Sequence, residues 1–311
     1  MYFPYLRGKQ FELIALREFA AKHQDNHKIL PIIEPVKSTF NNLITATDKM
    51  FDCNLQFALV LNPQDGDFKR ENKDLLLEIP NLNRHREKWI PAFLFKGNAD
   101  RILETIVDNE LNNVMVIFKN GIDDNDLIFS FLGASRIKYI VNGDANSRSI
   151  MRRLSTLSDK HIIRLDNCFK EKTRNADYIE TVDEKFTEEH SYYVEDHFCG
   201  FSDYTVLPKD FVDGGMLPYA VAIHMTYKKN DREIYVHHFV SDTNDDNSNI
   251  KRKFVEAAKK LKDFFKDMDK TDSIDEMIQF VNEEKYPGLG IIKKLSIRNH
   301  IELINSIILP K

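Results

Sequence analysis

The first 167 residues of this 311-residue chain repeat one pattern, in which a short apolar run ends in polar residues and an amphipathic stretch follows. This alternation predicts repeated βα units, because parallel strands need long crossover connections that are usually helices. A series of βα units forms either an open doubly wound sheet or a closed barrel. The seven predicted strands are "YFPYLRG" (2–8), "ILPIIEP" (29–35), "FALVLNP" (57–63), "IPAFLFK" (90–96), "VMVIFKN" (114–120), "IKYIVNG" (137–143) and "HIIRLDN" (161–167).

Two features favour the closed barrel over the open sheet. No G-x-G-x-x-G follows the first strand, so the dinucleotide-binding fingerprint of the open fold is missing. The segment "AVAIHMTY" (220–227) supplies an eighth strand. We therefore expect an α/β protein of the (β/α)8, TIM-like barrel class, with residues 1–311 forming a single barrel domain.

Three segments depart from the repeat. Residues 168–217 are charged and aromatic without a clean helical pattern, and they predict an inserted lid before the last strand that folds over one mouth of the barrel. The segment "EIYVHHFVSD" (233–242) predicts a β-hairpin extension with 220–227. Residues 247–311 predict C-terminal helices packed on the barrel, including "NHIELINSII" (299–308).

Composition limits the partners and the compartment. A net charge of −5 makes duplex nucleic acid an unlikely ligand, since phosphates are neutralised by clustered Lys and Arg. The sparse cysteines Cys53, Cys168 and Cys199 fit a reducing environment. The N-terminus has no apolar signal region, and no stretch reaches the roughly 18 apolar residues of a membrane span. We expect a cytoplasmic protein with no membrane partner.

Polar residues at the strand ends are the candidate site, because chemistry in βα barrels lies at the C-terminal mouth. Neighbouring lysines at two strand ends could clamp a phosphate or carboxylate, and one could form a Schiff base. The alternatives are that the lysines extend to water and that Asn and Asp cap the following helices. The predicted substrate-binding residues are Arg7, Lys9, Lys96, Lys119, Asn142 and Asp144.

The predicted catalytic residues are Glu34, Asp166 and His224. Glu34 lies at an apolar strand end, where a carboxylate is costly unless it is paired. Asp166 is similar, with Arg164 as a candidate partner. In this reading Glu34 or Asp166 is the general base, and His224 is a proton donor or metal ligand.

The strand alternation of 219–227 predicts that His224 points into the barrel. A turn at Asn230 and Asp231 would place His224 opposite His237, and a slip of one residue would place it opposite His238. Two facing histidines could hold a divalent metal or shuttle protons. The alternative is a hydrogen bond from His224 to the backbone or a Tyr hydroxyl. The cofactor stays unknown, with a divalent metal as one candidate.

Several segments together resemble the Beta protein family, a group named from a phage beta protein. They are "YFPYLRGKQFELIAL", "ILPIIEPV" and the block "GFSDYTVLPKDF…PYAVAIHMTY…HHFVSD". The resemblance spans at least residues 1–242, and "FSDY" and "AIHMTY" are its most specific parts. It implies a setting in mobile or phage-defence gene neighbourhoods and carries over no catalytic residue.

The function predicted from these features is that of an enzyme, a hydrolase or lyase of TIM-barrel type, that acts on a small anionic substrate at the barrel mouth. The substrate would be a nucleotide or a phosphorylated metabolite. The alternative is a non-catalytic partner or sensor subunit of a phage-defence module, which recognises a protein partner.

Overall fold

The predicted barrel is confirmed. A computed structural model describes residues 1–71, 73–214 and 218–308, so the ends of the predicted lid (215–217) and of the C-terminal helices (309–311) lie outside the described residues. One sheet of eight parallel strands follows the chain order around a nearly closed barrel. Its strands are β1 (Tyr5–Leu6), β2 (Ile32–Ile33), β3 (Phe57–Val60), β4 (Trp89–Leu94), β5 (Val114–Phe118), β6 (Ile137–Asn142), β7 (His161–Asp166) and β9 (Gly200–Asp203).

The barrel closes through β9, and the prediction that residues 220–227 form the eighth strand is wrong. Tyr2 bridges to Phe201, and the N–H of Phe3 donates to the carbonyl of Phe201 at 2.8 Å. Gly200 permits this approach, because a Cβ at that position would lie 2.5 Å from the carbonyl oxygen of Met1. The strand that closes the barrel therefore lies inside the segment predicted to be a lid.

Residues 220–227 do form a strand, but in a second sheet. The strands of this antiparallel sheet are β8 (Asp183–Thr187), β10 (Ala222–Lys228) and β11 (Ile234–Val240). Their order is β10–β11–β8. Between β7 and β9 the chain leaves the barrel to supply β8, so an insertion before the last barrel strand and a hairpin extension are both present.

Helices pack against both sheets. Short 3-10 helices cover Gly66–Lys69 and Asn175–Thr181. The α-helices are α1 (Gln10–Lys22), α2 (Asn41–Asp52), α3 (Leu75–Glu78), α4 (Pro80–Arg84), α5 (Ala99–Asp108), α6 (Asp126–Leu132), α7 (Arg148–Ser155), α8 (Glu189–Tyr192), α9 (Ile250–Phe264), α10 (Asp272–Asn282) and α11 (Leu289–Ile307).

The last helix, α11, joins the barrel to the second sheet. It begins at Leu289, well before the predicted start at Asn299. The earlier turns were missed because Lys294 and Arg298 interrupt the apolar pattern, yet both are buried. Their charges are paired with Glu18 of α1 and Glu276 of α10, which lets α11 pack against both helices.

Strand alternation decides which polar residues reach the barrel mouth. Tyr5, Ile32, Leu94 and Ile117 pack together inside the barrel, while alternate residues pack outward against the helices. Residues two positions further along these strands, past their C-terminal ends, are therefore directed to the mouth. They are Arg7, Glu34, Lys96 and Lys119.

The second sheet buries one face against the C-terminal helices. Ile223 and Met225 of β10 pack against Phe254 and Leu261 of α9. The other face of β10 is directed toward the insertion between β7 and β9. Within the described residues, none of the helices combines the length and the apolar character that crossing a bilayer requires.

Candidate functional site: the C-terminal mouth of the barrel

Glu34 is the centre of the mouth. Its side chain is fully buried, and its Oε2 accepts hydrogen bonds from the hydroxyl of Tyr5 at 2.7 Å and from Lys119 Nζ at 2.7 Å. A guanidinium nitrogen of Arg7 donates to the same oxygen at 2.5 Å. The other oxygen, Oε1, is buried with no hydrogen-bond partner among the described residues. Oε2 therefore accepts three hydrogen bonds, whereas Oε1 can still accept one.

The electrostatics of this cluster keep Glu34 ionised. Burial alone raises the pKa of Glu34, but the charges of Lys119 and Arg7 outweigh it and hold that pKa below its ordinary value. Burial lowers the pKa of Lys119, and the charge of Glu34 offsets only part of that effect. At neutral pH Glu34 is a weak base, whereas Lys119 loses its proton more readily than an ordinary lysine.

A cavity of about 500 Å³ lies above this cluster. Its walls carry charges of both signs, including Lys96, Lys119 and Lys209 with Asp65. Asp65 lies 3.4 Å from the Arg7 guanidinium and 3.9 Å from Lys119 Nζ, so its charge is shared with that cluster. Two further carboxylates, from Asp123 and Asp210, are exposed at the rim.

Lys96 differs from the other cations of the cavity. Within the described part of the chain its ammonium has no hydrogen-bond or ion-pair partner, whereas Lys209 Nζ donates to the side chain of Asn120 at 2.8 Å. Lys96 follows β4 and Lys119 follows β5, and these strands are paired neighbours. The two ammonium groups therefore face one cavity from adjacent strands.

The chain after β9 covers part of the mouth, so the covering segment is 204–214 and not the whole of 168–217. Arg7 donates to the carbonyl of Lys209. Lys9 Nζ donates to the carbonyl of Val212 at 2.9 Å and lies 4.5 Å from the ring centre of Phe211. Lys9 thus holds this segment in place and does not line the cavity.

Asn142 and Asp144 do not reach the mouth cavity. Val141 faces the barrel interior, so Asn142 points the other way. The side-chain amide of Asn142 donates to the carbonyl of Asp144 at 2.9 Å, and the Asp144 carboxylate accepts from the backbone N–H of Asn146 at 3.1 Å. These hydrogen bonds lie within the turn after β6, so neither residue caps the following helix α7, whose N-cap is Ser147.

Asp166 does not join Glu34. Leu165 faces the barrel interior, so Asp166 is directed outward. Its carboxylate accepts from Arg164 Nε at 2.7 Å, and the same nitrogen lies 3.3 Å from Glu189 of α8. Burial raises the pKa of Glu189 to about 6. This group forms an ion cluster between β7 and the insertion, away from the mouth.

His224 also lies outside the barrel, and the prediction that it points into the barrel is wrong. Its ring contacts Phe169 and Tyr178, with ring centres 5.1 and 4.7 Å away. The register pairs His224 with His238 and not with His237. The second of the two registers considered is therefore the one observed, because Lys228 pairs with Ile234 and leaves an odd number of residues in the loop.

The two paired histidines contact each other directly. Their Nδ1 atoms are 2.7 Å apart, so one ring must donate a proton to the lone pair of the other. Burial lowers the pKa of His224 to about 3 and that of His238 to about 4, which leaves both rings neutral at pH 7. In the described ranges no group of three or more His, Cys, Asp or Glu side chains is placed to hold a metal ion.

Three residues of the mouth were missed by sequence reasoning. Asp65 and Lys209 line the cavity, and the buried hydroxyl of Tyr204 has no hydrogen-bond partner among the described residues. Tyr204 and Lys209 follow β9, so placing the eighth strand at 220–227 hid them. The only available signal was the short polar strand end "FSD" before Tyr204.

Comparison with known protein families finds no match to this chain, and comparison with curated proteins finds none either. The resemblance to the Beta protein family therefore stays a prediction from the quoted segments.

Replacing Glu34 should destabilise the protein far more than replacing Asp166. Glu34→Ala leaves Arg7 and Lys119 with only the more distant carboxylate of Asp65, which costs about 3–5 kcal/mol in the free energy of unfolding. Asp166→Ala removes a half-exposed pair and should cost about 1 kcal/mol or less. Urea unfolding of both variants measures this difference, and equal losses would contradict the account of the Glu34 cluster.

Acid should destabilise the protein through the His224–His238 pair. Above the ordinary pKa of 6.5 the pair is neutral in both folded and unfolded chains. As the pH falls, the unfolded chain takes up protons near pH 6.5, whereas the folded chain resists until about pH 4 and about 3. The free energy of unfolding therefore falls by about 1.4 kcal/mol per pH unit for each ring across that window.

The variant His224→Gln tests this expectation. It removes one of the two titrating rings, so its stability should fall less steeply with decreasing pH than that of the wild type. Denaturant unfolding at several values between pH 7 and the onset of acid unfolding measures both slopes. Identical slopes would show that His224 is not held neutral by the fold.

Proposed function

We propose that this protein is an enzyme that binds a small anionic molecule, a nucleotide or a phosphorylated metabolite, in the cavity at the C-terminal mouth of its barrel. The observation that carries the proposal is the pair of lysines on adjacent strands that face one cavity. Lys96 has no partner within the described residues, and Lys119 sits above the buried Glu34. An anion that bridges the two ammonium groups would supply the partner that Lys96 lacks.

The mixed charge of the walls narrows the ligand class. The cavity carries Asp65, Asp123 and Asp210 as well as its cations, so it does not suit a bare polyanion. A phosphorylated molecule with hydroxyl or amino groups fits both signs, because its phosphate meets the lysines and its donors meet the carboxylates. This is the chemistry of a nucleotide or a sugar phosphate.

The proposal assigns separate roles to the residues of the mouth. Glu34 is a positioning residue, since its lowered pKa makes it a poor base and its Oε2 holds Arg7 and Lys119. Lys119 is the candidate general base or nucleophile, because burial lowers its pKa. Reactions open to such a lysine include those of a hydrolase or a lyase. Lys96 anchors the anion.

A thermal-shift screen with nucleotides, sugar phosphates and inorganic phosphate tests this proposal. A ligand at a hundredfold excess over its Kd stabilises the protein by about 2.7 kcal/mol. Lys96→Ala should weaken binding by roughly tenfold, since it removes one charged contact, without lowering the stability of the free protein. Lys88→Ala is the matched control, because Lys88 is an exposed lysine just before β4 and therefore at the opposite end of the barrel.

The outcomes decide whether the mouth is an anion-binding site, which the proposed enzyme requires. A shift that persists in Lys88→Ala and weakens in Lys96→Ala supports an anion site at the mouth. A shift that is unchanged in Lys96→Ala places the ligand elsewhere and contradicts the proposal. The absence of a shift with any of these compounds also counts against it.

A second candidate function is that of a non-catalytic partner or sensor subunit of a phage-defence module. Exposed apolar side chains within 168–214 favour it, because a protein partner would bury such side chains. Glu34 and Asp166 are also both engaged in internal ion pairs, as a structural role would require. The exposed apolar residues of this segment are Ile179, Val182, Val194 and Val212.

A further inference from the structure

A second cavity, of about 250 Å³, lies beside the paired histidines. It is enclosed by the chain after β7, by β10 and by the first turns of α11. Tyr178 and His224 form an aromatic wall, and Lys172 and Lys293 lie on opposite elements. The buried hydroxyl of Ser296 adds a polar group. None of these side chains takes part in the mouth cavity.

The charge of a neighbouring carboxylate decides where the protons of the two histidines lie. Nε2 of His238 is buried 3.4 Å from Oε1 of Glu184, which is an ion-pair distance without hydrogen-bond geometry, and neither atom has a hydrogen-bond partner among the described residues. Glu184 also pairs with Lys170 at 3.0 Å and is a carboxylate, which can only accept. The proton of His238 therefore belongs on Nε2, and its Nδ1 accepts.

It follows that His224 must donate its Nδ1 proton to His238, because the two Nδ1 atoms are 2.7 Å apart. The remaining nitrogen of His224, Nε2, then carries a lone pair. This atom has no hydrogen-bond partner among the described residues, and His224 lines the cavity. The chain Glu184, His238, His224 thus ends in an unused acceptor at the cavity wall.

The charges around the cavity favour an anion. The ammonium groups of Lys172 and Lys293 have no ion-pair partner within the described ranges, and Glu171 is the one acidic residue of the lining that the structure describes. Among the lining side chains the balance is therefore positive by one charge, and beyond the lining the charge of Lys293 also acts on the buried carboxylate of Glu12. A ligand that matches both the positive charge and the lone pair of His224 Nε2 needs an anionic group for the lysines and a hydrogen-bond donor for that nitrogen.

We propose that this cavity is a second binding site, for a compact hydroxycarboxylate or a comparable anion whose hydroxyl donates to Nε2 of His224. The site does not depend on the mouth cavity. Leu207 and Pro208 form one of its walls, and the following residues, Lys209 and Asp210, line the mouth instead. The segment 204–214 thus separates two cavities with different chemistry.

Long-range proton–nitrogen NMR of the histidine rings tests the proposal, with glycolate as the probe and acetate as the matched control without a hydroxyl. In the free protein at pH 7, His224 should show a protonated Nδ1 and an unprotonated Nε2. Glycolate should shift the Nε2 signal, and acetate should bind more weakly by up to roughly tenfold because it offers no donor.

Variants assign the effect to this cavity. Lys172→Ala and Lys293→Ala should each weaken glycolate binding by roughly tenfold, since each removes one charged contact. Lys96→Ala should leave it unchanged, because Lys96 belongs to the mouth. The glycolate experiment therefore tests the second cavity alone. It can succeed if no anion binds at the barrel mouth, and it can fail if one does.

Three results would overturn the inference. The first is a proton on Nε2 of His224 in the free protein, which would leave no acceptor for the hydroxyl. The second is the absence of any glycolate-dependent shift at His224. The third is a shift of equal size in Lys172→Ala, Lys293→Ala and the wild type, which would place the anion outside this cavity.

Discussion

The buried carboxylate of Glu34 is the interaction on which the mouth of this barrel depends. A charge with no exposure to solvent is costly unless opposite charges and hydrogen-bond donors surround it. Arg7, Tyr5 and Lys119 all meet Oε2 of Glu34, and they come from β1 and the end of β5. This requirement brings together strands that are distant in the sequence and sets the floor of the cavity above them.

The positions of the other mouth residues depend on their contacts with Glu34. Arg7 is fixed by Glu34, and its other nitrogen donates to the carbonyl of Lys209, which holds the segment 204–214 over the barrel. Lys119 is held by the same carboxylate, which keeps its ammonium group at the cavity and partly buried. Lys96 has no such restraint and is exposed, which is why it is the residue that an incoming anion would engage.

The repeat of apolar runs and amphipathic stretches predicted seven of the eight barrel strands, because helix crossovers between parallel strands leave a strong periodic pattern. The strand that closes the barrel was placed wrongly, at 220–227. The rule that chemistry lies at the C-terminal ends of the strands placed Glu34 and Lys119 at the same mouth. The short strand β9 could not be found this way, since four residues, "GFSD", offer too little pattern. Asp166 was expected at the mouth with Glu34, but neighbouring residues of a strand point to opposite faces of the sheet. Leu165 faces the barrel interior, so Asp166 faces the helix layer.

A polar network joins the barrel to the second sheet, and the sequence gives no periodic signal for it. The hydroxyl of Tyr2 donates to Asp203 at the end of β9 at 2.7 Å. His300 of α11 lies 3.3 Å from the same carboxylate and 3.0 Å from the hydroxyl of Thr226 in β10. Such contacts depend on elements that meet only in the folded chain, so they stabilise the junction without appearing as a motif.

The most direct test of the Glu34 cluster is the titration of its side-chain carboxyl carbon by NMR in the intact protein. If the charges of Arg7 and Lys119 stabilise the ionised form of Glu34, the midpoint of its titration lies below about 4.3, the ordinary pKa of a glutamate. A midpoint above that value would mean that burial dominates and that Glu34 is not ion-paired. The cluster would then not organise the barrel mouth.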